Sequence, residues 1–185
     1  MRAIEMRRWT REEYDKVIAA GVFTPGERME LIDAEILRIT PQGSIHATVI
    51  QLVHDALRLA FGPAFSIRQQ MPMALASDSE PEPDLSVVPG NPMDYWDAHP
   101  ATALLLVEVS DTTLEHDRRR KGSLYARANI QDYWIVNIID RCVEVYREPH
   151  EGVYRSCQQC FPGADLSPLS APKARISVAD FFRRD

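Results

Sequence analysis

Several things are scarce or missing in this chain of 185 residues, and each absence narrows what it can be. It has only three cysteines, an odd number, which argues against a disulfide framework and fits a reducing compartment. No apolar segment approaches the roughly 18 residues needed to span a bilayer, and the stretch from Met1 to Arg8 has no apolar run after its basic residues. A cytoplasmic protein that does not engage a membrane is therefore expected. There is no glycine-rich phosphate loop, dinucleotide fingerprint or Gly-x-Ser-x-Gly elbow, and no acid is placed to orient His116 toward Ser110. That disfavours an NTPase, a Rossmann oxidoreductase and a serine hydrolase. An excess of basic charge is missing as well. With a net charge of −6 and a pI near 5.4, a polyanion would be repelled at long range, so contact with nucleic acid must rest on local basic groups and bound cations.

What is present is an ordinary globular mix, 45% hydrophobic and 26% charged, with no internal repeat or low-complexity tract. The length suits one α/β domain over 1–185, with a core at about 10–150 and a C-terminal strand and short helix in 151–185.

Local patterns place the elements. Thr10 and Glu13 match a capping box, and Tyr14, Val17 and Ile18 recur at helical spacing, which predicts a helix over 11–20 ending near Gly21. The run 29–39 reads as a hairpin turning at Asp33-Ala34, with Glu30 and Glu35 flanking the turn. Ser44 can cap a second helix reaching Gly62, with His46 in its first turn. Strands follow at 65–75, 85–88 and 103–109, then a helix at 115–128 that carries Asp117 and Lys121 one turn apart. A hairpin over 132–146, a strand at 152–158 and a short helix opened by Ser177 complete a mixed sheet flanked by helices, with a parallel crossover around 115–128.

The residues that suggest chemistry are Glu82-Pro83-Asp84, opening the apolar run Leu85 to Val88, and Val107-Glu108-Val109, closing the run that starts at Leu104. Glu108 sits in an otherwise apolar hexapeptide, where a bare carboxylate is expensive unless it is ligated or hydrogen-bonded. Carboxylates at the mouths of two buried strands can hold a hard divalent cation, Mg²⁺ or Mn²⁺, which needs few oxygen ligands and retains waters. If the two lie together without a cation, one holds its proton more tightly, and metal affinity falls on acidification. Arg118-Arg119-Arg120-Lys121 is a basic run close behind, with Arg68, Lys173 and Arg175 as further cations; it reads either as a phosphate-holding patch or as a solvated helix face. Cys157 and Cys160 have the spacing of half a zinc knuckle, with only Cys142 and His150 to complete it, so free thiols are expected. Tyr95-Trp96 and Phe181-Phe182 fit either a homodimer interface or the core.

The series Glu30 to Glu35, His46, Glu82 to Val88, Val107 to Ser110, Asp117-Arg118 with Lys121, Leu124 to Ala128 and Asp132 to Val136 resembles the Uma-type restriction endonucleases of bacteria, within the PD-(D/E)XK nuclease superfamily. The resemblance covers roughly residues 10 to 150, in order. It implies a restriction-endonuclease-like α/β core, DNA as partner, Asp84 and Glu108 as carboxylates for Mg²⁺ or Mn²⁺, and attention to Glu30 and Asp117 as further acids near the site.

One departure matters. The superfamily pattern places a lysine two residues after the second acid, and this chain has Ser110 there. Lys121 is its expected replacement, since a lysine on the following helix can bring its ammonium to the same point on a long flexible stem. The expected machinery is then Asp84 and Glu108, with the Val109 carbonyl, around the cation, Lys121 and Ser110 at the nucleophilic water, and Arg118 to Arg120 on flanking phosphates. His46 reads more simply as a structural residue at a helix start. The competing expectation is a non-catalytic nuclease-fold protein that binds or regulates as a dimer.

Overall fold

The computed structural model describes residues 5–182; the extreme ends of the expected 1–185 domain, 1–4 and 183–185, lie outside the described residues. Helix α1 (Arg11–Ala19) starts at the anticipated capping box, with Thr10 accepting from the Glu13 N–H at 3.2 Å and Glu13 accepting from the Thr10 N–H at 3.1 Å. Strands β1 (Arg28–Ile32) and β2 (Glu35–Ile39) form the hairpin, turning through Asp33 and Ala34 at φ of 51° and 62°. Two positive φ values are the signature of the tight turn that matches strand twist. Without glycine it is held from outside, by Ser79 Oγ accepting from the Asp33 N–H and the Asp78 carbonyl accepting from the Ala34 N–H.

Helix α2 (Ser44–Phe61) buries Val49, Ile50, Val53, Leu57 and Phe61. Its N-cap is Gly43, and Ser44, expected to cap it, is already helical. Strand β3 (Phe65–Gln69) is shorter than the expected 65–75, because Gln70 turns to φ 50° and Pro72 has no N–H for a ladder. Strands β4 (Leu85–Pro89) and β5 (Leu105–Ser110) follow. The crossover that comes next is helical from 114 to 127 but not uniform: α3 (Leu114–His116), a π turn (Asp117–Lys121) and α4 (Gly122–Arg127). Strands β6 (Asp132–Asn137), β7 (Cys142–His150) and β8 (Val153–Cys160) complete a six-stranded sheet. Beyond lie the short pair β9 (Asp165–Leu166) and β10 (Ile176–Ser177) and, where a helix was expected, a single 3₁₀ turn at Val178–Phe181.

The sheet order is β3-β4-β5-β6-β7-β8, antiparallel except for the parallel pair β5 and β6 across the helical crossover. Central strands β5 and β6 are buried at every position, as a sheet covered on both faces requires. On one face α2 packs with Leu166, Ile176, Val178 and Phe181 over Leu85, Val87, Leu105, Val107 and Trp134. On the other, Leu124 and Tyr125 of the crossover helix and Ile32 of the hairpin cover Val88, Leu106, Tyr133 and Ile135. Phe181 and Phe182 thus belong to the core, whereas Trp96 is exposed. Cys157 and Cys160 are three apart on one strand and so point to opposite faces, one exposed and one buried; with Cys142 they are free thiols.

No helix among the described residues is long and apolar enough to cross a membrane.

Candidate functional site

Strand β4 begins immediately after Asp84 and β5 runs beside it, so the antiparallel register Leu85 to Val107 sets Asp84 next to Glu108. The two acids are bonded into one framework. Asp84 Oδ2 accepts from the Val109 N–H at 2.9 Å, and the Asp84 N–H approaches Glu108 Oε2 at 3.4 Å. Asp84 is further held by Gln70 Nε2 at 3.1 Å and His46 Nε2 at 3.2 Å, the latter from the first turn of α2.

Lys121 reaches this pair from the crossover helix. Its Nζ lies 3.1 Å from Glu108 Oε1 and 3.4 Å from Glu30 Oε2, with all three side chains buried. Tyr125, four residues on, donates its hydroxyl to the same Glu108 oxygen at 2.6 Å. Glu30 arrives on β1 and accepts the Glu82 N–H at 3.2 Å. Asp117 faces the end of β5, accepting from Ser110 Oγ at 2.9 Å and Thr113 Oγ1 at 2.7 Å.

Asp84, Glu108, Val109, Lys121, Glu30, Asp117 and His46 therefore stand around one cleft of about 400 Å³, and Ser110 reaches it through Asp117. The arginines do not assemble as a run. Arg118 pairs with buried Glu144 at 3.0 and 2.5 Å, Arg120 turns to Glu35 and the Ile32 carbonyl, and only Arg119 extends to solvent, beside Glu115. Strand β7 and the hairpin explain this: Glu144 on the one, and Glu35 with the Ile32 carbonyl on the other, offer the flanking arginines internal acceptors that helical spacing alone does not show. Residues not singled out from the sequence also line the cleft, among them Arg28, Arg38, Gln70 and Thr113. Tyr125 was detectable only as the fourth residue after Lys121 on the same helix face.

Burial and charge drive the two acids apart. Glu108 is pushed up to about 8, first by desolvation and then by the charges of Asp84 and Asp117, against the pull of Lys121. Asp84 is held below the usual carboxylate range: burial would raise it, but the His46 hydrogen bond and charge and the Val109 N–H prevail. His46 is raised in return, its burial outweighed by Asp84. Lys121 stays protonated, since the surrounding carboxylates outweigh its burial.

A pH dependence follows. Glu108 holds its proton more tightly folded than unfolded, so its contribution to stability is present below about 4.5 and lost as pH rises through about 8. The metal-free protein is expected to lose melting temperature over that interval, and Glu108→Gln to flatten the loss. Differential scanning fluorimetry across the interval checks this; parallel curves for both proteins would contradict it. A divalent cation, if bound at this carboxylate, should raise the melting temperature more at the alkaline end than at the acid end.

The donor set fits such a cation. Among the described residues no group of three or more His, Cys, Asp or Glu side chains is disposed to hold a metal. Mg²⁺ does not need one, being bound through one or two carboxylates with waters and substrate phosphates. The strand register supplies a further oxygen: continued by two residues it sets Pro83 opposite Val109, and a proline has no N–H to offer that carbonyl. The cleft also carries six acidic side chains (Glu30, Glu82, Asp84, Glu108, Asp111, Asp117), of which Glu108 keeps its proton up to about 8, against Arg28, Arg38 and Lys121, and the remaining excess of acid opposes an anionic ligand unless cations accompany it.

The family described as "Uma2: Putative restriction endonuclease" matches residues 11–179, nearly the whole chain. The chain belongs to the Uma2 family. Among solved structures, this Uma2 protein is similar to "a putative nuclease belonging to DUF820" from Anabaena variabilis, with a TM-score of 0.72 at 16% identity, over 94% of this chain and 97% of that one. At that identity the likeness concerns the fold, which is restriction-endonuclease-like. No curated protein matches the sequence.

Proposed function

We propose that this Uma2 protein is a cytoplasmic, divalent-cation-dependent endonuclease that hydrolyses DNA phosphodiester bonds at the cleft between the β1–β2 hairpin and the crossover helix. The observation that carries this reading is the convergence of Asp84, Glu108 and Lys121, with the lysine 3.1 Å from Glu108 although it comes from a different element than the superfamily pattern uses. Mg²⁺ or Mn²⁺ held by Asp84, Glu108 and the Val109 carbonyl would supply charge neutralisation of the phosphate and a more acidic water.

The chain's own groups do the rest. Lys121, fixed between Glu108 and Glu30, presents a permanent positive charge where negative charge grows on the phosphoryl oxygens. His46 and Gln70 orient the Asp84 carboxylate, and Tyr125 orients Glu108. Ser110 and Thr113 hold Asp117 at the cleft wall. Arg38 and Arg119, both exposed, are better placed than the internally paired Arg118 and Arg120 to meet flanking phosphates. Such contacts position a strand without reading its sequence. Cutting both strands of a duplex needs two such sites, so a homodimer is part of the proposal.

Nicking of supercoiled plasmid and cleavage of single-stranded DNA, with Mg²⁺, Mn²⁺ or EDTA, test it. Activity is expected only with the cations, and none in Asp84→Ala or Glu108→Ala. Cleavage that survives in the acid variants or in EDTA would refute the assignment.

A further inference from the structure

The helix that carries Lys121 has an irregularity at the site itself. Across the π turn Asp117–Lys121 the Gly122 N–H reaches back five residues to the Asp117 carbonyl, as well as to that of Arg119. Such a turn is rare and, inside a helix, often marks a functional position. Two features on β6 and α4 accommodate it. The Tyr133 hydroxyl donates to the Asp117 carbonyl at 3.0 Å in a buried setting. Gly122 leaves room for that carbonyl: a Cβ there would stand 3.3 Å from the Asp117 oxygen and 3.8 Å from the Tyr133 ring.

The consequence is angular. Four residues of α-helix turn through about 400°, so side chains four apart drift by about 40° at each step. The wider turn takes up that drift between Asp117 and Lys121. Asp117, Lys121 and Tyr125 then all address β5, at Ser110, at Glu108 and at Glu108 again.

We propose that Tyr133 is a positioning residue: by donating to the Asp117 carbonyl it holds the π turn, and the π turn sets Lys121 against Glu108. Tyr133 does not line the cleft and touches no reacting group. The proposal rests on the nuclease reading only where its effect is read as cleavage.

The test is Tyr133→Phe, which keeps the ring and removes the hydroxyl. Tyr154→Phe is its control, because Tyr154 belongs to the same aromatic cluster and makes a comparable hydroxyl-to-carbonyl bond, to Ile130 at 2.9 Å, away from the π turn. Trace acetylation read by mass spectrometry reports how well Lys121 is held, with exposed Lys16 and Lys173, the only other lysines, as internal standards. Relative to those, Lys121 labelling is expected to rise about fivefold or more in Tyr133→Phe through local opening of the turn, and not in Tyr154→Phe. In the cleavage assay kcat is expected to fall about tenfold in Tyr133→Phe, with KM unchanged, because a misplaced catalytic group loses rate before it loses binding. Equal labelling in wild type and Tyr133→Phe, or the same rise in Tyr154→Phe, overturns the proposal. If the wild-type protein cleaves no DNA the nuclease reading fails, and labelling alone then decides the role of Tyr133.

Discussion

Lys121→Met is expected to lower the DNA cleavage rate by roughly 10²–10³-fold, the usual loss when one preorganised electrostatic contact to the transition state is removed. Methionine fills most of the volume left by the lysine stem, so packing is largely kept. Removing one partner of a buried ion pair ordinarily costs about 3–5 kcal/mol, because the other is left as a bare charge. Here the Glu108 part of that cost should be smaller, since Glu108 already holds its proton up to about 8 and can stay neutral, while buried Glu30 is left with the Glu82 N–H. Lys121→Arg should not rescue the rate: a planar guanidinium cannot occupy the point between Glu30 and Glu108 that a compact ammonium fills at 3.4 and 3.1 Å. Kinetics on variants of confirmed folding check this. A Lys121→Met enzyme cutting within a factor of about three of wild type, far less than such a contact is worth, would remove the lysine from the reaction.

Asp132→Ala is expected to be the most destabilising single change. Asp132 is fully buried at the start of β6 and accepts four bonds: from Trp134 Nε1 at 2.9 Å, from Arg147 at 2.9 and 3.4 Å, and from the Leu169 N–H at 2.8 Å. It ties two neighbouring strands to the segment that leads into β10. Truncation leaves a partly buried guanidinium and two N–H donors without their acceptor, a loss of about 3–5 kcal/mol. For a chain of this size that corresponds to a fall in melting temperature of roughly 6–20 °C. Asp132→Asn, which keeps one acceptor oxygen, should fall between the two. Scanning calorimetry decides; a drop in Asp132→Ala of only a degree or two would show that the C-terminal segment is not anchored there.

Much of this architecture was legible from local signals. The capping box at Thr10 and Glu13, the apolar face of α2 and the strand–helix–strand order around 114–127 each depend on neighbours within a few residues, which a sequence displays directly. The acid pair was legible for a related reason: a carboxylate inside Leu104 to Val109 contradicts its surroundings unless something answers it. Where the reading fell short, distant partners decided. Strand β3 stops at Gln69 because Gln70 leaves extended backbone just before Pro72, and the last helix is a single 3₁₀ turn. Arg118 and Arg120 look like a basic patch until Glu144 and Glu35, far away in sequence, take them up.

The chain's own order of residues determined that Asp84 precedes one apolar strand and Glu108 interrupts another, that Lys121 rides on the following helix, and that Ser110 occupies the usual lysine position. Only the tertiary structure decided that these groups meet. The register of β4 against β5 brings the acids side by side, the hairpin adds Glu30, and the π turn under Tyr133 rotates Lys121 into place. Each of those steps depends on contacts between residues 16 or more positions apart, whose geometry is set by packing of the whole sheet and is not encoded in any single segment.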